Sequence, residues 1–241
     1  MNDVGSRDFY NTYALRKGWA GIGTSEDVAY FDHLAAKAGI GPTGRSLEIG
    51  FGDGRLLDWA RARGHDITGV EILPDMVEAA QRRGHRVQQG PLKPGMFPAS
   101  SFDFIFVMDV FEHLTTAELL ELLSLARALL RPAGKVIARF PNGKSPFFGD
   151  YQFSDVTHIS CLTAASLDQI AERAGMRVTA SLVIRPFPAG LKAKIRRWFA
   201  YRLRTIFEIT VGLAYYGKRT SLDPNAVVII EPAQTHRGVP S

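Results

Sequence analysis

The stretch from Ser46 to Leu57, Ser-Leu-Glu-Ile-Gly-Phe-Gly-Asp-Gly-Arg-Leu-Leu, constrains this chain more than any other. It opens as a short apolar run suited to a buried strand and closes in an apolar pattern with helical spacing. Gly50, Gly52 and Gly54 are packed into the turn between them. Glycine at every second position removes side chains and permits positive φ, so the backbone can approach a ligand closely, and the start of the next helix offers free N–H groups. Such a turn suits a nucleoside cofactor. A dinucleotide site would want Gly-x-Gly-x-x-Gly, but the position for its third glycine holds Arg55.

The rest of the chain alternates strand and helix patterns around that turn. Residues 25–37 read as a helix ended by Gly39, Gly41 and Pro42, and 55–63 as a helix stopped by Gly64. Residues 66–72 read as a second buried strand ending in Glu71, 21 positions after Gly50. A carboxylate there is placed to accept hydrogen bonds from both hydroxyls of a ribose. A helix over 74–83 and a short strand over 85–89 lead to Gly90-Pro91-Leu92. The run 102–110 is the strongest buried strand. It precedes Phe111-Glu112-His113-Leu114, Thr115 as an N-cap, and a Leu-rich helix to 130. A turn over 131–134, a strand over 135–140, a helix over 164–174 and strands over 176–184 and 226–230 complete the pattern. Strands alternating with helices predict a doubly wound parallel sheet with ligands at the carboxyl ends of its strands.

Glu-x-Gly-x-Gly-x-Gly from Glu48 to Gly54, the acid at Glu71 and the Glu-His-Leu after the fourth strand resemble motifs of the class I S-adenosylmethionine-dependent methyltransferases. The resemblance runs from Leu47 to Pro232 and is most specific at 47–57, 70–76 and 102–114. It implies an α/β fold with a doubly wound, seven-stranded Rossmann-like sheet, helices on both faces, and an antiparallel C-terminal hairpin. It implies S-adenosylmethionine as cofactor and S-adenosylhomocysteine as product. In such a protein Glu48 orients the ammonium group and Gly50, Phe51, Gly52 and Gly54 cradle the methionine part. Glu71 and Ile72 meet the ribose, Gly90 and Leu92 the adenine, and Asp109 and Val110 the methionine end. Many relatives carry an acid just after the glycine at 90, where this chain has Pro91, so adenine would rest on the Leu92 N–H and on apolar packing. Residues 1–40 would form a helical lid, with Tyr10, Tyr13 and Trp19 against the cofactor or packed on the sheet.

The segment 145–161 is too polar and broken for a helix or a core strand, and follows the fifth strand, where a loop would pass over the transfer site. Its Asp155, Thr157 and His158 form a compact acid, hydroxyl and imidazole set. Asp-x-Thr-His followed by a helix resembles a subgroup of bacterial methyltransferases associated with polysaccharides and other cell-envelope glycoconjugates. The expectation is a small-molecule acceptor methylated on a sugar or glycolipid hydroxyl, with His158 as general base and Asp155 fixing its tautomer. His113 is a second catalytic candidate, or a structural one. A quinone or small aromatic acceptor, a non-catalytic cofactor-binding module and a dinucleotide oxidoreductase are the alternatives, the last opposed by Arg55. No two-histidine or histidine–carboxylate helix motif argues for a metal.

Charge is concentrated in one place. Between Gly190 and Thr220 eight basic residues stand against Glu208, a local +7 in a chain of net +5, so the remainder is weakly acidic. That argues against a protein coating nucleic acid. Residues 188–221 read as a basic amphipathic insertion between the last two strands of a 41–232 methyltransferase domain, with 233–241 as a tail. Its apolar face would pack on the core or in a homodimer; the alternative, through 190–217, is a peripheral contact with the inner face of a membrane. One cysteine, Cys161, excludes an internal disulfide and points to a reducing compartment. With no secretory signal in the first thirty residues and no apolar run of membrane-spanning length, the expected location is the cytoplasm, as monomer or homodimer.

Overall fold

The computed structural model describes residues 23–41, 43–186 and 190–233. Tyr10, Tyr13 and Trp19, and with them most of the expected lid, lie outside the described residues. What is described of that segment is one helix, α1 (Ser25–Ala38), started by a capping box: Asp27 N–H donates to the Thr24 hydroxyl, and the Asp27 carboxylate accepts from Thr24 N–H at 2.7 Å. There follow β1 (Arg45–Ile49), α2 (Arg55–Ala62), β2 (Asp66–Glu71), α3 (Pro74–Arg82), β3 (Val87–Gln89) and β4 (Phe102–Met108). A 3₁₀ turn at Phe111–His113 leads to α4 (Thr116–Leu129), β5 (Leu130–Pro141), the short α5 (Gly149–Gln152), α6 (Ala164–Arg173), β6 (Met176–Leu182), α7 (Leu191–Tyr216) and β7 (Asn225–Pro232).

The seven strands form one sheet in the order β3-β2-β1-β4-β5-β7-β6. The first five run parallel, and β7 lies antiparallel between β5 and β6. This is the doubly wound sheet with an antiparallel C-terminal hairpin that the motifs imply. Period-two alternation divides its core into two layers. Ile105 and Val107 of β4, with Val136 and Ala138 of β5, pack beneath α4 and α6 through Leu119, Leu123 and Leu167. Phe106 and Ile137 face the other way, against Phe31 of α1, Leu57 and Trp59 of α2 and Val77 of α3. Burial of both faces explains why the central strands read as continuous apolar runs.

Two expectations change. The turn expected at 131–134 is absorbed into β5 as an irregularity: the register with β4 jumps from Phe102↔Leu130 to Phe104↔Lys135. The amphipathic insertion does form a helix, α7, but its apolar face does not pack on the core. Only Glu208 and Gly212 of its residues are buried. The helix is held by polar contacts instead: the Arg185 guanidinium donates to Glu208 at 2.7 Å, Arg204 and Arg219 each approach Glu208 at 3.3 Å, and the Tyr201 hydroxyl donates to the Pro186 carbonyl. Burial raises the Glu208 carboxyl, and the hydrogen bond and charge of Arg185, with Arg219 and Arg204, outweigh that and hold it below its ordinary range.

Gly69, in the middle of β2, lies directly under the ring of Phe51 in the glycine turn. A Cβ there would come within 2.6 Å of Phe51 Cδ1 and 3.2 Å of Leu57 Cδ1. Gly69→Val should therefore overpack this layer and cost about 1–3 kcal/mol in urea unfolding; wild-type stability would show that Phe51 has room to move aside.

Candidate active site

The carboxyl ends of β1, β2 and β4 open into one cavity of about 830 Å³, within the usual range for a ligand site. Its floor is the glycine turn. Gly50, Gly52 and Gly54 all hold positive φ (71°, 53° and 80°), the region that costs a side chain roughly 1–2 kcal/mol. At Gly50 the restriction is also steric, since a Cβ would meet Val110 Cγ2 at 2.5 Å. The turn is braced from outside: Arg55 Nε donates to Asp53 at 2.6 Å, and Arg83 Nη2 to the Asp53 carbonyl at 2.5 Å. Glu48, Gly50, Phe51 and Gly52 line the cavity, while Gly54 serves as the left-handed N-cap of α2 beside it.

Glu71 ties the ends of β1 and β2 together. Its Oε2 accepts from Gly52 N–H at 2.9 Å, and its Oε1 from Ile72 and Leu73 N–H at 2.7 and 3.1 Å. Burial raises its pKa, and these three backbone bonds pull it back only in part. Glu48 is more extreme. It is 3% exposed, its Oε2 has no hydrogen-bond partner among the described residues, and burial, with the negative charge of Glu71 and Asp53, holds its carboxyl well above the ordinary glutamate range. A buried carboxylate oxygen without a partner, beside a turn that leaves no room for a side chain, fits a small cationic group.

Ile72, Gly90, Pro91, Leu92 and Lys93 form the wall next to Glu71. On the opposite wall stand Met108, Asp109 and Val110 at the end of β4. Asp109 holds φ of 57°, unusual for a residue with a side chain, and its carboxylate accepts from Arg139 Nε at 2.8 and 3.0 Å. Arg139 in turn lies over the ring of Tyr30, 5.2 Å from its centroid. Sequence reasoning missed Tyr30 and Arg139, both of which line the cavity. It also missed Glu26 and Asp27 of α1, Glu118 and Glu121 of α4, and Arg197 of α7 at the same cavity. The only signal for the last was the basic insertion itself.

The structure rearranges the expected catalytic set. The loop 145–161 contributes no side chain to the cavity wall, because Ile159 and Ser160 N–H both donate to the Glu112 carbonyl and draw the loop behind the 3₁₀ turn. His158 and Asp155 therefore lie outside the cavity, and the imidazole that lines it is His113. His158 Nδ1 faces the Gln152 carbonyl at 3.1 Å, and Asp155 Oδ2 is 3.9 Å from Nε2. Asp155 also reaches His113. Its Oδ1 accepts from the Thr157 hydroxyl at 2.6 Å, and Thr157 Oγ1 and the Thr157 carbonyl lie 3.0 and 3.2 Å from His113 Nδ1. With the hydroxyl proton given to Asp155, both Thr157 oxygens can only accept, so Nδ1 carries a proton. The two imidazoles meet edge to face, centroids 4.6 Å apart. One donor atom each from Glu112, His113 and His158 lies within 4.8 Å of the others. Their separation along the chain hides that grouping from a motif search.

A strand-end cavity with a glycine floor, an acid at the second strand and an imidazole after the fourth defines a class: a Rossmann-like group-transfer site. A family model for the methyltransferase domain matches residues 26–181, and the chain belongs to that family. Its fold is that of S-adenosylmethionine-dependent methyltransferases. It superposes with a TM-score of 0.60 on one from Archaeoglobus fulgidus at 19% identity, covering 86% of this chain and 94% of that one. A methyltransferase of Haloferax volcanii, solved in complex with its Trm112 activator, gives 0.61 at 16% identity, covering 96% and 99%. The Burkholderia thailandensis 1,6-didemethyltoxoflavin N1-methyltransferase, solved with S-adenosylhomocysteine, gives 0.57 at 17% identity, covering 95% and 87%. In sequence, 112 residues are 30% identical to the uncharacterized protein MJ1123 of Methanocaldococcus jannaschii, and the chain spans about half the length of that relative.

The raised pKa of Glu48 has a consequence for stability. Folding favours its protonated form, so its stabilising contribution is complete below the pKa of an unfolded glutamate and is lost as pH rises through the folded value; Glu71 adds in the same sense. The melting temperature of the ligand-free protein should therefore fall as pH rises above the glutamate range, and Glu48→Gln should flatten that slope. An unchanged slope would mean that Glu48 is ionised throughout.

Proposed function

We propose that this protein transfers a methyl group from S-adenosylmethionine to a hydroxyl of a sugar or glycolipid intermediate of the cell envelope, working at the inner face of a membrane. The observation that carries the reading is one cavity lined both by Glu48, whose Oε2 has no hydrogen-bond partner among the described residues, and by His113, whose Nδ1 is fixed by Thr157. Glu48 would hold the ammonium group of the cofactor. Gly50, Phe51 and Gly52 would admit its methionine part, Glu71 and Ile72 its ribose, Gly90 and Leu92 its adenine, and Asp109 and Val110 would bound the methionine end. When bound, the cofactor supplies an electrophilic methyl on a sulfonium.

The His113 imidazole would take the proton of an acceptor hydroxyl whose oxygen displaces the sulfonium sulfur from that methyl carbon, the sulfur keeping the electron pair of the broken C–S bond. Alignment along this line carries most of the catalysis, about 7–11 kcal/mol. A general base adds typically 10²–10⁴-fold, about 3–5 kcal/mol. Asp155 is a positioning residue acting through Thr157, and His158 supports the His113 ring from behind. A small aromatic acceptor is the second reading, favoured by the apolar Leu114, Leu122 and Leu125 on the His113 side and by Tyr30.

Calorimetry should find S-adenosylmethionine and S-adenosylhomocysteine as ligands and nicotinamide dinucleotides as non-ligands; the reverse pattern would overturn the reading. With an acceptor found by labelled-methyl screening of envelope precursors, His113→Ala should lower kcat by about 10²–10⁴-fold while cofactor affinity stays near wild type. Thr157→Val should give a smaller loss together with a displaced pH–rate profile. Full turnover by His113→Ala would remove the base from the mechanism.

A further inference from the structure

Among the described residues, nothing covers the outward face of α7. At 1.5 Å per residue its 26 residues make a rod about 39 Å long. Leu191, Ile195, Phe199, Leu203, Ile206 and Leu213 are between 49% and 74% exposed along it. At 100° per residue these six fall on one stripe, turned away from the side that carries Glu208 and Gly212. Lys192, Arg196 and Arg202 stand on or beside that stripe, with Arg202 stacked over Trp198 at 5.1 Å. The helix has one acid, Glu208, and that acid is buried among Arg185, Arg204 and Arg219. The exposed surface of α7 is thus apolar and cationic with no negative charge of its own.

We infer that this face docks on an anionic lipid surface, the helix lying in the plane of the interface. Three observations single out that occupant. The charge is complementary to anionic headgroups, and exposed cations flanking an apolar stripe are what an interfacial helix requires. Trp198 and Tyr216 are exposed on the flank of that stripe and place amphipathic rings where headgroups meet acyl chains. A second copy of the chain would present the same cations and no exposed acid to pair with them, so a two-fold contact through α7 gains apolar burial only against unpaired like charge. Among the described residues no helix is long and apolar enough to cross a membrane, so the contact is peripheral.

The other side of α7 bounds the cavity. Arg197 lines it and reaches Glu26 of α1 at 3.7 Å across its rim. Docking through the outer face would therefore set the cavity beside the lipid surface, where an amphiphilic acceptor could keep its apolar part in the membrane and present its polar head to His113. That extension rests on the methyltransferase reading. The docking itself does not.

Flotation of the purified full-length chain tests it, using vesicles of equimolar phosphatidylglycerol and phosphatidylcholine against vesicles of phosphatidylcholine alone. The protein should float with the anionic vesicles at low salt, lose much of that binding at high salt, and bind the neutral vesicles weakly. Each of Lys192→Gln and Arg196→Gln should weaken the anionic partition by about fivefold. Phe199→Glu combined with Ile206→Glu should abolish it at either salt. All of these positions lie on the outer face, so S-adenosylmethionine calorimetry on each variant reports separately on the folded cavity. Failure to float with cofactor binding intact would overturn the docking and leave the methyltransferase reading standing; floating without cofactor binding would do the reverse. A wild type that ignores anionic vesicles and sediments as a dimer, with Phe199→Glu returning it to monomer, would assign the face to a second copy instead.

Discussion

The site depends on one carboxylate. Glu71, at the end of β2, accepts from Gly52 N–H across the gap to the glycine turn and from the next two N–H groups of its own strand. This bonding joins the carboxyl ends of two parallel strands that otherwise meet only through their ladder, and it sets the height of the glycine turn above the sheet. The turn can occupy that position only because it lacks side chains: Val110, at the end of β4, fills the space that a Cβ on Gly50 would need. Three strand ends are thereby locked to one another through contacts that tolerate few substitutions. The cavity is the space they leave.

Electrostatics divides that cavity into two ends. At the glycine end, Glu48 and Glu71 are buried with raised pKa values, so negative charge there is costly until a cation shares it. At the other end the charged groups are already matched, Asp109 by Arg139, and Asp155 by the Thr157 hydroxyl that orients His113. The first end is built to be completed by a ligand. The second is built to hold an imidazole in one orientation through its Nδ1. A cofactor carrying positive charge and an acceptor carrying a proton to lose are what such a division suits.

The succession of strands was legible because the central ones are buried on both faces and so read as apolar runs, each ended by glycine, proline or an N-cap such as Thr115. The glycine end of the cavity was legible for a related reason: Glu48, the glycines and Glu71 sit at fixed distances along two adjacent strands, so local spacing carries their geometry. The imidazole end was not. His158 and Asp155 look like a pair in the chain, but two backbone hydrogen bonds to the Glu112 carbonyl turn their loop behind the 3₁₀ turn. Asp155 then serves an imidazole 42 residues earlier in the chain, His113. Tyr30 and Arg139 escaped notice because their meeting depends on α1 lying over the end of β5, which no local pattern encodes.

The amino-acid sequence by itself determined the alternating architecture, the glycine turn and the presence of a basic amphipathic helix, since periodicity and turn chemistry are local; the antiparallel direction of the last strands came only with the family resemblance. Only the tertiary structure decided which imidazole faces the cavity and which way α7 turns its apolar stripe. Both depend on competition among long-range contacts. The spacing of apolar residues along α7 gives it an apolar face, but the buried cluster of Glu208 with Arg185, Arg204 and Arg219 decides that the other face meets the protein.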